Sequence, residues 1–182
     1  GDGFFWTALR PFFGALGAWA CGAPRLSMRP MHTDEAVHAD KFGTLLEGGG
    51  YRYDPTEYHG PTLNFFTLIP ARLRGMHHYQ ELDETVLRLI PALFGILLVW
   101  LLHHWREGLG ARPILLAAVF TALSPALVYY SRYYIQEMLL LCFSFGWMGC
   151  CYRYLREGRS LWAVSAGMFF GLSFATKETF IL

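Results

Sequence analysis

The chain has 182 residues, 54% of them hydrophobic and 17% aromatic, with 16% charged residues and a formal net charge of +1. A soluble domain carries roughly 25% charged residues, so this is the makeup of a membrane protein. Near-neutral charge leaves no basic field to hold a nucleic-acid backbone, and no run of like charge forms an interaction tail. Nucleic acid is not expected among its partners.

A spanning helix needs about 20 mostly apolar residues, and five segments approach that length. The first, 4–26, contains Arg10 near one end, where a long side chain can snorkel to the head groups. It lacks the charged start and the cleavage pattern of a signal peptide. A long polar stretch, 27–84, follows. Within it Pro55, Gly60 and Pro61 force turns, and the apolar run from Thr62 to Ala71 is too short to span, which predicts a re-entrant or interfacial helix. The second span is 85–105. The third, 113–130, has no charge and ends in Tyr129 and Tyr130, suiting the aromatic belt of an interface. Residues 134–152 and 161–182 complete the set. The final apolar run reaches Leu182 without a polar tail and residue 1 is not Met, so the sequence is expected to be part of a longer chain. No period-two alternation suggests a barrel. The predicted fold is all-α, a polytopic helical bundle with a long first outer loop bearing short interfacial helices.

Short loops rich in Arg mark the cytoplasmic side. Arg106, Arg112, Arg153, Arg156 and Arg159 fall on one side, whereas the short turn opposite carries only Arg132. The long loop is therefore predicted to be extracytoplasmic. That same side collects Asp34 and Glu35, the "EYHGP" of 57–61, Ser131, Arg132, Gln136, Glu137, Lys177 and Glu178. Ionisable groups at membrane depth are functional candidates by default, although Glu137 and Lys177 could simply pair to hold the bundle.

The stretch "RPMHTDEAVHAD" (29–40) is the densest group of titratable side chains. If "TDEAVHAD" begins a helix, Asp34 and Glu35 lie in its first turn, where their ionised forms are favoured. Both are then one turn before His38 and share its face. Three uses stand open. A partly desolvated carboxylate can serve as general base toward a hydroxyl. Two carboxylates with His32, His38 or His59 could hold a divalent cation. The third is a helix cap with a solvated face. The spacing is not that of the HExxH zinc motif. Cys21, Cys142, Cys150 and Cys151 lie in apolar runs without CxxC spacing and read as small buried hydrophobes. "GMFFGLSFA" supplies small residues for close helix packing.

Taken in order, "RPMHTDEAVHA", "YDPTEYHGPTL", "RLIPALFGILL", "SPALVYYSRYYIQEMLL" and "ATKE" resemble the N-terminal part of a GT-C fold membrane glycosyltransferase. The similarity is to the protein mannosyltransferase and aminoarabinose transferase superfamily, and within it to the flippase-activity-associated proteins of archaeal glycosylation. It covers nearly the whole sequence as a single transmembrane domain.

The resemblance implies a sugar donor on a polyprenyl phosphate and transfer, with inversion, to an acceptor hydroxyl at the extracytoplasmic face of a bacterial or archaeal plasma membrane. It implies Asp34 as the catalytic acid-base residue, with Glu35 as the second acid of the pair. His59, Gly60 and Pro61 stand where aminoarabinose transferases have a Lys-Pro-Pro near the lipid phosphate, a departure at the first position. Arg132, Glu137 and Lys177 match charged positions that bind lipid phosphate or sugar. A divalent cation is used by related oligosaccharyltransferases and not by many of the sugar transferases, so metal dependence stays open. A transporter or flippase component for lipid-linked sugars would present the same spans and polar face.

Overall fold

A computed structural model describes residues 26–56 and 59–181. The predicted first span, 4–26, with Cys21, lies outside the described residues except for Leu26. Within them the fold is helical, without strands, and has one isolated antiparallel bridge between His59 and Lys177.

Helix α1, Thr33–Leu46, starts where the sequence places it. His32 is its N-cap: Nδ1 accepts the Asp34 N–H at 3.4 Å, and the Glu35 carboxylate accepts the His32 N–H at 3.1 Å, a capping box. Helix α2, Thr62–Leu73, follows Pro61 and lies in the region predicted to be interfacial. Helix α3, Glu84–Leu101, is capped by the Asp83 side chain, which accepts the Val86 N–H at 2.7 Å. A 3₁₀ turn (Leu102–Trp105) and a helical turn (Arg106–Leu109) extend it into a 26-residue apolar rod.

The predicted span 113–130 is not one rod. It divides into α4, Ala111–Leu123, and α5, Pro125–Tyr130, because Ser124 adopts an extended ψ of 119°. The Pro125 ring disfavours helical backbone at the residue before it and supplies no N–H to continue the ladder. The 13 residues of α4 reach only about 20 Å, short of a bilayer core of about 30 Å.

Helix α6, Glu137–Glu157, begins three residues later than predicted, since 131–136 form turns. Gly158, at φ 65°, reverses the chain into α7, Ser160–Thr176. Helix α7 stops before the predicted end: Lys177 is extended and Glu178–Ile181 make a 3₁₀ turn. Among the described residues, then, two of the predicted spans, α3 with its extension and α6, are long and apolar enough to cross a membrane, while α4 and α7 are shorter apolar helices.

The core lies between α1, α2, α3 and α6. Phe42 and Leu46 from α1, Leu63 from α2, Leu87 and Phe94 from α3, and Leu139 and Phe143 from α6 are buried in it. Cys142 and Cys150 are buried as predicted and Cys151 is half-buried; all three are free thiols. Lys177, just past α7, pairs with Glu137 at the start of α6, so these two helices run antiparallel. Arg88 near the start of α3 meets Glu35 of α1. One end of the bundle thus gathers α1, the beginnings of α3 and α6, and the end of α7.

Candidate active site

Adjacent residues on a helix project about 100° apart, so Asp34 and Glu35 cannot both point inward. The buried face of α1 carries Glu35, His38, Ala39, Phe42 and Leu46. Asp34 falls off its edge, with its side chain 67% exposed. Asp34, Glu35 and His38 therefore do not share one environment, as their spacing suggested.

Glu35 is fully buried and saturated with donors. Arg88 grips it with Nε to Oε1 and Nη2 to Oε2, both 2.9 Å. Arg29 Nη2 reaches Oε2 at 2.7 Å, and the backbone N–H groups of His32 and Tyr134 donate at 3.1 and 2.9 Å. Five donors outnumber the about four lone-pair directions of a carboxylate. Burial pushes the Glu35 pKa up, but the Arg88 hydrogen bonds, the two backbone N–H groups and the Arg88 charge together hold it below the ordinary carboxylate value. Arg88 Nη1 in turn donates to the carbonyls of Leu26 and Arg29. Glu35, expected as a second acid, instead fastens α1, α3 and the 131–136 turn together.

Asp34 is held differently. Its Oδ2 lies 3.3 Å from the Tyr133 hydroxyl and 3.5 Å from His32 Nδ1, and the hydroxyl lies 2.6 Å from that same nitrogen. Burial, and then the Asp34 charge, push the Tyr133 hydroxyl up to about 12, so it stays a proton donor. Tyr133 stacks on Tyr129 at 5.3 Å, and the Arg29 guanidinium sits over both rings at 4.8 and 5.2 Å while donating to the Tyr129 hydroxyl at 3.2 Å.

Behind this stack is a cavity of ≈ 330 Å³ lined by Arg29, Arg88 and Arg132, with Leu26 and Tyr129 among its walls. Arginines from three parts of the chain thus line one cavity, and two of them, Arg29 and Arg88, also pair with Glu35. Arg29 connects the two features, since it lines the cavity and packs on Tyr133, the hydrogen-bond partner of Asp34. An arginine-lined pocket suits an anion with several acceptor oxygens.

The other expected residues form a neighbouring cluster. The Gly60 N–H donates to the Thr176 carbonyl at 2.9 Å, Thr62 and Thr176 hydroxyls meet at 2.8 Å, and Gln136 Nε2 approaches the Gly60 carbonyl at 3.4 Å. This knits the "HGP" turn to the end of α7. Tyr51 donates its hydroxyl to the His59 carbonyl at 2.6 Å. The His59 ring meets the buried His38 ring edge-to-face, with centroids 4.9 Å apart. Lys177 Nζ pairs with Glu137 Oε1 at 3.2 Å, both half-buried.

His32 touches Asp34 and His38 touches His59, but these are two separate pairs. Among the described residues no three His, Cys, Asp or Glu side chains converge on a metal site. Within the described residues, the donor set that the sequence allowed is therefore incomplete.

Sequence reasoning missed Arg29, Arg88 and Tyr133. Arg88 carried a faint signal, being a charge just inside the start of an apolar run, where a long side chain must find a partner or the head groups.

A model of the dolichyl-phosphate-mannose-protein mannosyltransferase family matches residues 59–182, more than half of the chain. The chain belongs to this family. It is accordingly a membrane glycosyltransferase of the GT-C type. The matched stretch contains His59, Arg88, Arg132, Glu137 and Lys177, and the Asp34–Glu35 pair precedes it. No curated protein and no solved structure matches the chain.

Proposed function

We propose that the protein moves a sugar from a polyprenyl-phosphate donor to an acceptor hydroxyl at the extracytoplasmic face, with Asp34 as general base. The observation that carries this reading is an open carboxylate one side chain away from an arginine-lined cavity. A base must be reachable by its substrate, and Asp34 is open where Glu35 is sealed.

In this reading the donor phosphate occupies the cavity of Arg29, Arg88 and Arg132. The acceptor oxygen attacks the anomeric carbon and its proton passes to Asp34. The bond from that carbon to the phosphate oxygen breaks, the electron pair leaves with the phosphate, and the sugar carbon inverts. Negative charge grows on the phosphate as the bond breaks, so fixed guanidinium groups stabilise the transition state more than the ground state. Lys177 is already paired with Glu137 and contributes after exchanging partners, with Glu137 and His59 in the cluster beside the cavity. The polyprenyl chain lies along the exposed apolar helices in the bilayer. The arginine-rich loops opposite support the extracytoplasmic assignment.

The test is turnover of a radiolabelled polyprenyl-phosphate sugar by the full-length protein in liposomes. Asp34→Asn keeps the size and removes the base, and is expected to lower the rate by about 10²- to 10⁴-fold. Undiminished release of lipid phosphate from this variant would overturn the assignment. Translocation of the donor without any chemical product would instead establish a carrier.

A further inference from the structure

A carboxylate two-thirds exposed has little to hold its rotamer, yet a general base must meet its proton within about 3 Å and in line. Two groups restrain Asp34. Tyr133 is buried, with its ring fixed between Tyr129 and the Arg29 guanidinium, so its hydroxyl has a set position. His32 is fixed as the N-cap of α1, and its Nδ1 accepts the Asp34 N–H. The Tyr133 hydroxyl lies within reach of both, 2.6 Å from His32 Nδ1 and 3.3 Å from Asp34 Oδ2.

We propose that Tyr133 and His32 are positioning residues for Asp34: one hydroxyl, in contact with both His32 Nδ1 and Asp34 Oδ2, holds the carboxylate beside the arginine-lined cavity. The proposal rests on the reading of Asp34 as the base. The Tyr133 hydroxyl donates to Asp34 Oδ2 at 3.3 Å, and His32 Nδ1, 2.6 Å from the same oxygen, fixes where that hydroxyl stands.

The charged and titratable groups around the triangle are Arg29 before α1, Glu35 beside Asp34, Arg88 from α3, Tyr129 from α5 and Arg132 in the turn.

The experiment compares kcat and donor KM for the wild type, Tyr133→Phe, His32→Asn and Asp34→Asn in the full-length protein. Tyr133→Phe is expected to lower kcat about tenfold, the effect of one hydrogen bond, with the donor KM unchanged. His32→Asn keeps a capping side chain but loses the contact with the Tyr133 hydroxyl, and is expected to lower kcat by a smaller factor, again with the donor KM unchanged. Unchanged kcat in Tyr133→Phe or in His32→Asn overturns the proposal while leaving Asp34 as the base. Full turnover in Asp34→Asn overturns both. If Tyr133→Phe fails to fold, as a lowered melting midpoint in detergent would reveal, the His32→Asn kinetics decide.

Discussion

At one end of the bundle Arg88 and Glu35 are 1% and 0% exposed, and the carboxylate is ringed by five donors. At the other end Arg153 meets Glu107 at 3.0 Å and Glu157 at 2.6 Å with side chains 18%, 51% and 21% exposed. Arg153 also rests over the Trp162 ring, and the indole N–H donates to Glu157 at 2.8 Å. The distances are alike but the surroundings differ. Glu107 keeps much of its water whether or not its pair forms, so that contact contributes little, whereas Arg153 and Glu157 are half-buried. The first group has exchanged all of its water for protein partners, and removing one charge strands the other. The buried pair therefore fixes where Asp34 stands, while the Glu107 contact decorates the arginine-rich side of the helices.

The largest way to break this contrast is Arg88→Met, which leaves Glu35 buried beside Arg29 alone. It is expected to lower stability by about 3–5 kcal/mol, read as denaturant unfolding of the full-length protein in detergent, and to abolish turnover because α1 no longer holds its place. A loss as small as that of an exposed pair would show that water reaches Glu35 in solution.

Acid sharpens the same point. The Glu35 pKa is depressed in the folded state from an ordinary 4.5. Its stabilisation is then fully present above about pH 4.5 and is lost as pH falls through the lower native value. Glu35→Gln should flatten that acid-side loss of melting temperature, and an unaltered profile would place its origin elsewhere.

Next in size is Gly60→Ala. A Cβ at Gly60 would overlap the Ala175 carbonyl, a backbone group that cannot rotate aside. The overlap is expected to cost about 1–3 kcal/mol and to loosen the turn that carries His59 against α7. Melting and donor KM should both worsen.

Smallest is Glu107→Gln at the opposite end, whose side chain is 51% exposed, expected to change stability by less than about 1 kcal/mol and to leave turnover intact. Its effect should shrink further in high salt. An effect rivalling that of Arg88→Met would erase the distinction between the two ends.

Much of the architecture was readable from local pattern. The cap at His32, the acidic first turn of α1 and the apolar runs that became α3 and α6 depend on neighbours within a turn or two. The break at Ser124 was also written locally, in Pro125, but total apolarity over 113–130 concealed it. The gathering of Asp34, Glu35, His59, Arg132, Glu137 and Lys177 toward one end followed from counting crossings, although Arg132 reaches the cavity and Lys177 reaches Glu137 rather than a common point.

What the sequence alone determined is the helical class and the kind of membrane enzyme. Which of two adjacent acids is sealed and which is open was decided only by the tertiary structure, because the partners are distant in the chain: Arg88 lies 53 residues from Glu35, and Tyr133 lies 99 from Asp34. Hydropathy and periodicity register a side chain's own preference for water. They carry no record of which remote donor will replace that water once the helices pack, and this replacement is what separates a buried, anchoring carboxylate from an open one.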